Sequence, residues 1–537
     1  MFLAPRSHFF AVALTLFFAA WSVLLASKPA HANAVAFKQA VAEAAAQDRD
    51  IASFYQENGY EGMWTGKGSR DRNRRAALMN ALRDADNHGL PGSRYAVDAL
   101  EDQMKKASNP RALGLVEVAL SRAFLQYAAD VQTGALVPSR VDKNIVRQVP
   151  YRDRRSYLTN FAKSSPKGFF IALPPDTRTY DALMKQKLVL ERLIAKGGWG
   201  PTVKAKKLEP GDTGASVVAL RDRLVRMGYL KKSAANTYDT GMTDAVIRFQ
   251  ADHGLAQDGV VGQGTLAEIN TSVERSLQSV IVAMERERWV NKDRGTRHIE
   301  VNLTDFTAKI IDSGKVTFTT RSVIGARDAK RQSPEFSDVM EFMVINPSWY
   351  VPRSIVTGEY LPELQQDPNA VKHLIITDRS GREIDRTNVD FTKYTDRSFP
   401  YAMRQPPSRR NALGLVKFMF PNKYNIYLHD TPAKNLFGRE TRAYSHGCIR
   451  LADPFDFAYA LLAKQSNDPQ GLFQKTLATG KEAQINLKKP VPVHIIYRTA
   501  VADSKGQVNY RRDVYGRDAR IWKALSQAGV ALRSVQG

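Results

Sequence analysis

The chain has 537 residues and an ordinary globular composition, which together predict three or four domains with hydrophobic cores. Lysine and arginine outnumber aspartate and glutamate by 78 to 54, so the formal net charge is +24. A single cysteine excludes an internal disulfide. That cysteine is therefore interpreted as a site of intermolecular pairing, a reactive thiol or an inert buried side chain.

The N-terminus predicts export. Arg6 precedes an uncharged apolar run over residues 9–26, and Ala30 to Ala32 supply an A-x-A pattern, so residues 1–32 are expected to be a signal peptide. The run is also about long enough to span a bilayer, and an uncleaved anchor is the alternative. Export argues against nucleic acid as the partner of the basic surface. Anionic wall polymer, lipid headgroups and acidic substrates fit it, and so does a solvated face with no partner.

Residues 33–204 predict a helical scaffold domain. Apolar periodicity predicts one helix within residues 73–88, ended by Gly89, and a second helix within residues 115–136. No titratable cluster with catalytic spacing occurs in this region. The aromatic residues between positions 54 and 64 are therefore interpreted as core residues.

Residues 205–272 predict a compact module of three short helices, separated by Gly-rich turns, and the unit extends from Leu208 to Asn270. It resembles the type 1 peptidoglycan-binding module, which implies either wall binding or a spacer role. The residues that carry the resemblance are Gly211, Val217, Leu220, Leu224, Gly228, Tyr229, Asp239, Thr243, Ala245, Val246, Phe249, Gln250, Gly254, Leu255, Asp258, Gly259, Gly262, Thr265 and Leu266.

Residues 273–500 predict a mainly-β domain that is entered by a helix and interrupted by a polar, Pro-containing insertion over residues 353–412. Ser313-Gly314 and Lys505-Gly506 are predicted hairpin tips. Residues 501–537 are expected to be a C-terminal extension that completes this domain. The predicted fold class is thus multidomain α+β, and the insertion is interpreted as a capping subdomain.

The stretch LHDTPAKNLFGRETRAYSHGCIRL contains the cysteine, Cys448. His429 ends a predicted strand, and the following loop could return Cys448 to it. A thiolate is a strong nucleophile, and a nearby imidazole can accept the thiol proton. Gly447 lets the backbone approach a substrate closely, and its N–H and that of Cys448 could bind an oxyanion. These features are typical of acyl transfer through a thioester.

Other interpretations of the stretch stay open. His429 could be a core histidine, Cys448 could be inert, or both could bind zinc with His446, although the H-x-C spacing is unusually close for a zinc site. The polar and flexible neighbours of Cys448 argue against simple burial. No acidic third member of a triad stands out. Asp430 adjoins the histidine, but a main-chain carbonyl is the expected partner of the imidazole.

The HD pair followed by SHGCIRL resembles the signature of the YkuD-type L,D-transpeptidase catalytic domain, over roughly residues 296–500. The histidine precedes the cysteine, whereas papain-like peptidases have the opposite order. With the helical region and the module, the layout is similar to the long periplasmic L,D-transpeptidases of Gram-negative bacteria, whose capping subdomain would match the insertion.

The resemblance implies roles for individual residues. Cys448 would be the acylated nucleophile and His429 the general base, with His446 supporting that histidine. Gly447 would contribute to the oxyanion hole, and Arg450 would bind a substrate carboxylate. Three further positions match the family near its substrate-binding site, with core packing as the alternative for the two aromatic residues: Trp349, Tyr427 and Ser445.

The implied reaction takes place on peptidoglycan stem tetrapeptides in the periplasm and needs no metal or cofactor. The enzyme would release D-alanine and form 3→3 cross-links, and carbapenems would acylate the cysteine. A capping subdomain that excludes water would favour an amine acceptor. Water as acceptor would give an L,D-carboxypeptidase, and a lipoprotein amine would give wall anchoring or detachment. A non-catalytic wall-binding protein is an alternative of another class.

Overall fold

The structure is a computed structural model that describes residues 32–290, 293–503 and 505–532. The predicted signal peptide falls on residues 1–32, so all of it except Ala32 lies outside the described residues. Over the described ranges, no helix combines the length and the apolarity that crossing a bilayer requires.

Residues 32–195 form a bundle of helices around an aromatic core, as the apolar periodicity predicts. Trp64 stacks on Phe161 at a centroid distance of 5.1 Å, and both are fully buried. Asn109 caps the longest helix by accepting the N–H of Ala112, and Pro110 occupies the first helical position. The helices are α1 (32–45), α2 (Arg49–Glu57), α3 (Ser69–Arg83), α4 (Val97–Lys106), α5 (Pro110–Thr133), α6 (Pro138–Val141), α7 (Arg154–Lys163), α8 (Pro166–Ile171) and α9 (Arg178–Ala195).

The predicted three-helix module is confirmed. Its helices are α10 (Ala215–Arg226), α11 (Thr240–Asp252) and α12 (Gln263–Ile269). The Gln250 side chain fixes the following turn, because it donates to the Asp258 side chain and to the Val260 carbonyl and accepts the N–H of Gly259.

Helix α13 (Val273–Trp289) leads out of the module. It packs in one core with α9 and with the C-terminal helix α18 (Arg517–Gln527). The helix that enters the β domain therefore also packs against the helical scaffold, so these two regions share a core.

The β domain is built on a nine-stranded sheet, in the order β10-β3-β11-β9-β8-β4-β12-β1-β2, and an additional β2–β3 pairing closes it on itself. Its apolar face surrounds the largest core, which α16 (Pro454–Leu462) and α17 (Pro469–Ala478) cover. The strands of this sheet are β1 (Arg297–Asn302), β2 (Thr307–Asp312), β3 (Lys315–Gly325), β4 (Phe336–Ile345), β8 (Val416–Met419), β9 (Leu428–His429), β10 (Ala443–Ser445), β11 (Ile449–Leu451) and β12 (Ala483–Ile496).

Both predicted hairpin tips are confirmed. Ser313 and Gly314 join β2 to β3 with φ angles of +49° and +76°, a turn whose twist matches the flanking strands. Gly506, with φ of +83°, lies between β13 (Ala500–Ala502) and β14 (Val508–Tyr510), which pair antiparallel.

The insertion forms a cap with its own hydrophobic core and a three-stranded sheet in the order β5-β7-β6. The sheet begins at β5, four residues before the predicted start of the insertion at residue 353, because Trp349 and Tyr350 pair with β7. The elements of the cap are β5 (Trp349–Tyr350), α14 (Arg353–Ile355), a π-helical turn (Val356–Tyr360), α15 (Leu361–Gln366), β6 (Ile375–Thr377) and β7 (Ala402–Gln405).

A buried ion cluster joins distant parts of the chain. The Glu335 carboxylate lies 2.7 Å from Arg286 of α13, 3.2 Å from Arg517 of α18 and 3.4 Å from Arg147 of the scaffold. Arg286 also contacts Asp518 at 2.9 Å. Burial opposes ionisation of Glu335, but the three guanidinium groups outweigh it and lower the pKa of that carboxyl.

Glu335→Ala is expected to destabilise the protein by about 3–5 kcal/mol, because it leaves buried guanidinium groups without their shared counter-ion. The thermal unfolding midpoint should fall clearly, as followed by circular dichroism. Asp102→Ala is the matched control, since its partner Lys106 is solvent-exposed and such pairs contribute little. Equal midpoints for the two variants would contradict a stabilising role of the cluster.

Candidate active site

Parallel pairing of β9 with β11 puts the residues predicted as nucleophile and base at the ends of neighbouring strands. Leu428 lies opposite Ile449, and His429 lies opposite Arg450. Leu428 and Ile449 are fully buried in the core. Because side chains alternate along a strand, His429 and Arg450 project from the other face. Cys448 immediately precedes β11. Its thiol lies beside Tyr427 and hydrogen bonds with it.

The His429 imidazole is oriented by a main-chain carbonyl, as expected. Its Nδ1 hydrogen bonds to the carbonyl oxygen of Asp430. A carbonyl can only accept, so Nδ1 carries the proton and Nε2 has a free lone pair. The Asp430 carboxylate is directed elsewhere and accepts from the N–H of Leu415 and from Lys434. The ring is thus held in the tautomer that a general base requires.

The pKa of His429 is lowered to about 3, first by burial and then by the positive charge of Arg450. The hydrogen bond to the Asp430 carbonyl opposes these effects only in part. The imidazole is therefore neutral near pH 7.

The Cys448 thiol is partly buried, and its Sγ donates to the carbonyl oxygen of Asn425 at 3.4 Å. Burial raises the pKa of this thiol to about 11, although hydrogen bonds from Tyr427 and the charge of Arg450 act in the opposite direction. These pKa shifts favour a neutral thiol and a neutral imidazole over an ion pair.

Gly447 adopts a backbone conformation that favours glycine, with φ of +108°. A Cβ atom there would also lie 3.1 Å from Cδ1 of Ile426. Its carbonyl oxygen accepts a 2.6 Å hydrogen bond from the buried hydroxyl of Ser333. Over the described ranges, no group accepts the N–H of Cys448. This N–H is therefore free to bind a substrate oxygen.

His446 is predicted to support His429, and in the structure its side chain contacts the cap. Its Nε2 lies 2.6 Å from the Glu359 carboxylate of the cap. The turn before β11 directs this side chain toward the cap, whereas His429 is already oriented by the Asp430 carbonyl. His446 thus connects the cysteine loop to the cap.

The remaining predicted residues lie at different depths. Arg450 is partly buried beside His429, and its Nε has no hydrogen-bond partner within the described chain. Tyr427 packs between the main core and the cap core, with its ring 5.7 Å from the ring of His429. Trp349 is mostly buried in the cap core, and Ser445 is buried in β10. Arg450 and Tyr427 are consequently close to the site. Trp349 hydrogen bonds to Tyr427, but Trp349 and Ser445 both expose little surface.

A large cavity lies outside the candidate site. It has a volume of about 740 Å³ and is lined by α9, the small module, α13 and the C-terminal segment, without Cys448 or His429. Among the described residues, no group of three or more His, Cys, Asp or Glu side chains is arranged to hold a metal ion. The candidate site is therefore defined by its reactive side chains and not by cavity size.

Sequence reasoning missed Ser333 and Glu359. Each contacts the cysteine loop from a distant part of the chain, and neither lies in a motif. The SP pair at Ser333 and the polar stretch around Glu359 give no local signal of these contacts. The sequence analysis also did not predict the left-handed backbone conformation of Asn425, which has φ of +54°. Asparagine tolerates this conformation in turns, so its residue type gave a weak signal.

Alkylation of Cys448 by iodoacetamide should accelerate about tenfold per pH unit between pH 7 and pH 10, because the thiolate is the reactive form and the thiol pKa is about 11. The rate can be followed by intact-protein mass spectrometry, since the chain has one cysteine. A simple alkyl thiol of ordinary pKa, which levels off above about pH 8.5, is the control. A plateau below pH 8 would instead indicate a resting thiolate–imidazolium pair.

Three family models match separate parts of the chain. Residues 49–186 match a "Scaffold domain", residues 213–269 a "Putative peptidoglycan binding domain" and residues 296–493 an "L,D-transpeptidase catalytic domain" of the YkuD family. These ranges fall inside the three predicted domains, whose ends stay predictions. The predicted resemblance and the multidomain α+β fold class are confirmed.

Individual proteins are also similar to parts of the chain. A curated Haemophilus influenzae protein named "Putative L,D-transpeptidase" is 31% identical over 225 residues, which are 42% of this chain and 45% of that protein. The chain thus spans about half the length of this relative.

Two crystal structures of L,D-transpeptidases each match 55% of the chain. That from Xylanimonas cellulosilytica is 15% identical and fully covered, with a TM-score of 0.18. That from Stackebrandtia nassauensis is 14% identical and 97% covered, with a TM-score of 0.22. By the family models, the C-terminal part of this chain is similar to the YkuD-family L,D-transpeptidase catalytic domain, and the regions before it are similar to a scaffold domain and a peptidoglycan-binding domain.

Proposed function

We propose that the protein is a peptidoglycan L,D-transpeptidase that forms 3→3 cross-links through a thioester on Cys448. The observation that supports this proposal is the pairing of β9 with β11, which brings the strand that ends at His429 next to the strand that follows Cys448, with the His429 imidazole held by the Asp430 carbonyl. The match of residues 296–493 to the L,D-transpeptidase catalytic domain supports the reaction class.

In the first half-reaction, Nε2 of His429 accepts the thiol proton as Sγ of Cys448 attacks the carbonyl carbon of the third residue in a stem tetrapeptide. The carbonyl electrons move onto its oxygen, which the N–H groups of Gly447 and Cys448 stabilise. Collapse of this intermediate breaks the bond to the terminal D-alanine. The departing nitrogen takes the proton from His429, and the acyl group remains on sulfur as a thioester.

In the second half-reaction, the side-chain amine of another stem attacks the thioester carbonyl and transfers a proton to His429. The carbon–sulfur bond then breaks, sulfur regains the proton, and the new amide is the cross-link. Water in place of the amine would give hydrolysis of the same thioester. Arg450 would bind a donor carboxylate, since its charge adjoins the reacting groups and its Nε has no partner within the described residues.

The rest of the chain fits a wall substrate. The net charge of +24 attracts stem peptides, which carry several carboxylates. A peptidoglycan-binding domain precedes the catalytic domain, and the sequence of residues 1–32 predicts export. We therefore place the activity in the periplasm, at the cell wall, and expect carbapenems to acylate Cys448.

The purified protein, incubated with disaccharide-tetrapeptide, is expected to yield D-alanine and a 3→3 dimer by mass spectrometry. Cys448→Ala should abolish both products, and His429→Gln should slow them roughly 10²–10⁴-fold, because a general base is lost. His494→Gln is the matched control, since this buried histidine of the same domain lies outside the site.

Each other outcome has a distinct meaning. Tripeptide without dimer would identify an L,D-carboxypeptidase. Absence of any product that depends on Cys448 would overturn the proposed function and favour a wall-binding role.

The hydrogen bond between Glu359 of the cap and His446 predicts a second measurable effect, on the choice between water and amine as acceptor. Glu359→Ala should raise the ratio of hydrolysis to transfer roughly threefold to tenfold, because losing a partly exposed hydrogen bond weakens closure and admits water. Glu363→Ala, an exposed carboxylate on the same cap, is the control. An unchanged ratio of tripeptide to dimer in the folded Glu359 variant would show that this contact does not exclude water.

A further inference from the structure

Ser333 lies beneath the cysteine loop and is fully buried. Its Oγ is 2.6 Å from the carbonyl oxygen of Gly447 and 3.0 Å from the amide nitrogen of Gly325. The amide of Gly325 can only donate, so the hydroxyl accepts from it. The single hydroxyl proton is therefore directed to the Gly447 carbonyl, which can only accept.

The Gly447 carbonyl belongs to the same planar peptide unit as the N–H of Cys448. In a trans peptide these two groups point in opposite directions. A hydrogen bond that holds the carbonyl toward the interior therefore holds the N–H outward. Glycine at position 447, with φ of +108°, gives this unit unusual rotational freedom, so an external restraint on its orientation matters.

We propose that Ser333 is a positioning residue for the oxyanion hole, which orients the N–H of Cys448 toward the reacting carbonyl oxygen. This inference rests on the proposed acyl transfer. Ser333 does not touch the substrate, because it is fully buried, and it acts through the Gly447 carbonyl.

The surroundings of Ser333 keep it in place. The Tyr515 hydroxyl accepts the N–H of Ser333 at 3.3 Å and donates to the Gly325 carbonyl at 2.6 Å. Arg517 donates to the Ser333 carbonyl at 2.7 Å. Ser333 thus makes four hydrogen bonds, two through its backbone and two through its hydroxyl, and all four partners are buried. The hydroxyl therefore has a fixed position from which to hold the loop.

The test compares two reactions of the same sulfur. A carbapenem must be attacked at a carbonyl and needs the oxyanion hole, whereas iodoacetamide alkylates sulfur at a saturated carbon and does not. In the full chain, Ser333→Ala is expected to slow acylation by a carbapenem about tenfold or more, while alkylation stays within about twofold. Both rates can be measured by intact-protein mass spectrometry.

Ser121→Ala is the matched control. It removes the hydroxyl of another fully buried serine with two side-chain hydrogen bonds, but this serine lies in the helical scaffold and makes no contact with the cysteine loop. Acylation by this variant should stay close to that of the unmodified protein, and Ser333→Thr, which restores a hydroxyl, should recover part of the rate. Thermal unfolding midpoints establish that all variants are folded.

Several outcomes would overturn the inference. Equal losses of acylation and alkylation in Ser333→Ala would indicate a structural role only, as would equal losses of acylation in Ser333→Ala and Ser121→Ala. Unchanged acylation in Ser333→Ala would refute the inference and leave the proposed function intact. If the unmodified protein neither acylates nor forms products that depend on Cys448, both the function and the inference fail.

Discussion

The pairing register between β9 and β11 is the constraint on which the candidate site depends. Side chains alternate between the two faces of a strand, so a shift of one residue would turn His429 into the core and expose Leu428. The complete burial of Leu428 and Ile449 opposes that shift. Hydrophobic packing behind the sheet thus fixes the positions of His429 and of the residue after Cys448, although each strand is only two or three residues long.

The segment from Ser333 to Glu335 connects this site to the rest of the chain. Ser333 contacts the cysteine loop, whereas Glu335 contacts arginines from the scaffold, from α13 and from α18. The main chain of Glu335 also pairs with residues 144 to 146 of the scaffold. The helical regions therefore have a physical role in the catalytic domain, because they fix a segment that contacts the Gly447 carbonyl directly.

Local rules account for what could be predicted from the sequence. Apolar periodicity predicted α5, the Ser313-Gly314 turn predicted the β2–β3 hairpin, and the residue types around Cys448 predicted acyl transfer. The contacts made by Ser333 and Glu359 could not be predicted, since they join residues 114 and 87 positions apart. Trp349 and Ser445 were predicted to lie near the substrate. How deeply their side chains are buried depends on the packing of the cap and of β10, which no short motif encodes.

The neutral state of the resting site has a consequence for reactivity. The proton lies on sulfur, because burial raises the pKa of Cys448 to about 11 and lowers that of His429 to about 3. Transfer of this proton from sulfur to His429 is therefore unfavourable before a substrate binds. Hydrogen bonds to the oxyanion that forms during attack must offset this free-energy cost. A thiol that becomes nucleophilic only with a bound carbonyl is also protected from oxidation, which proceeds through the thiolate. In a protein with one cysteine, that protection preserves the group on which the proposed reaction depends.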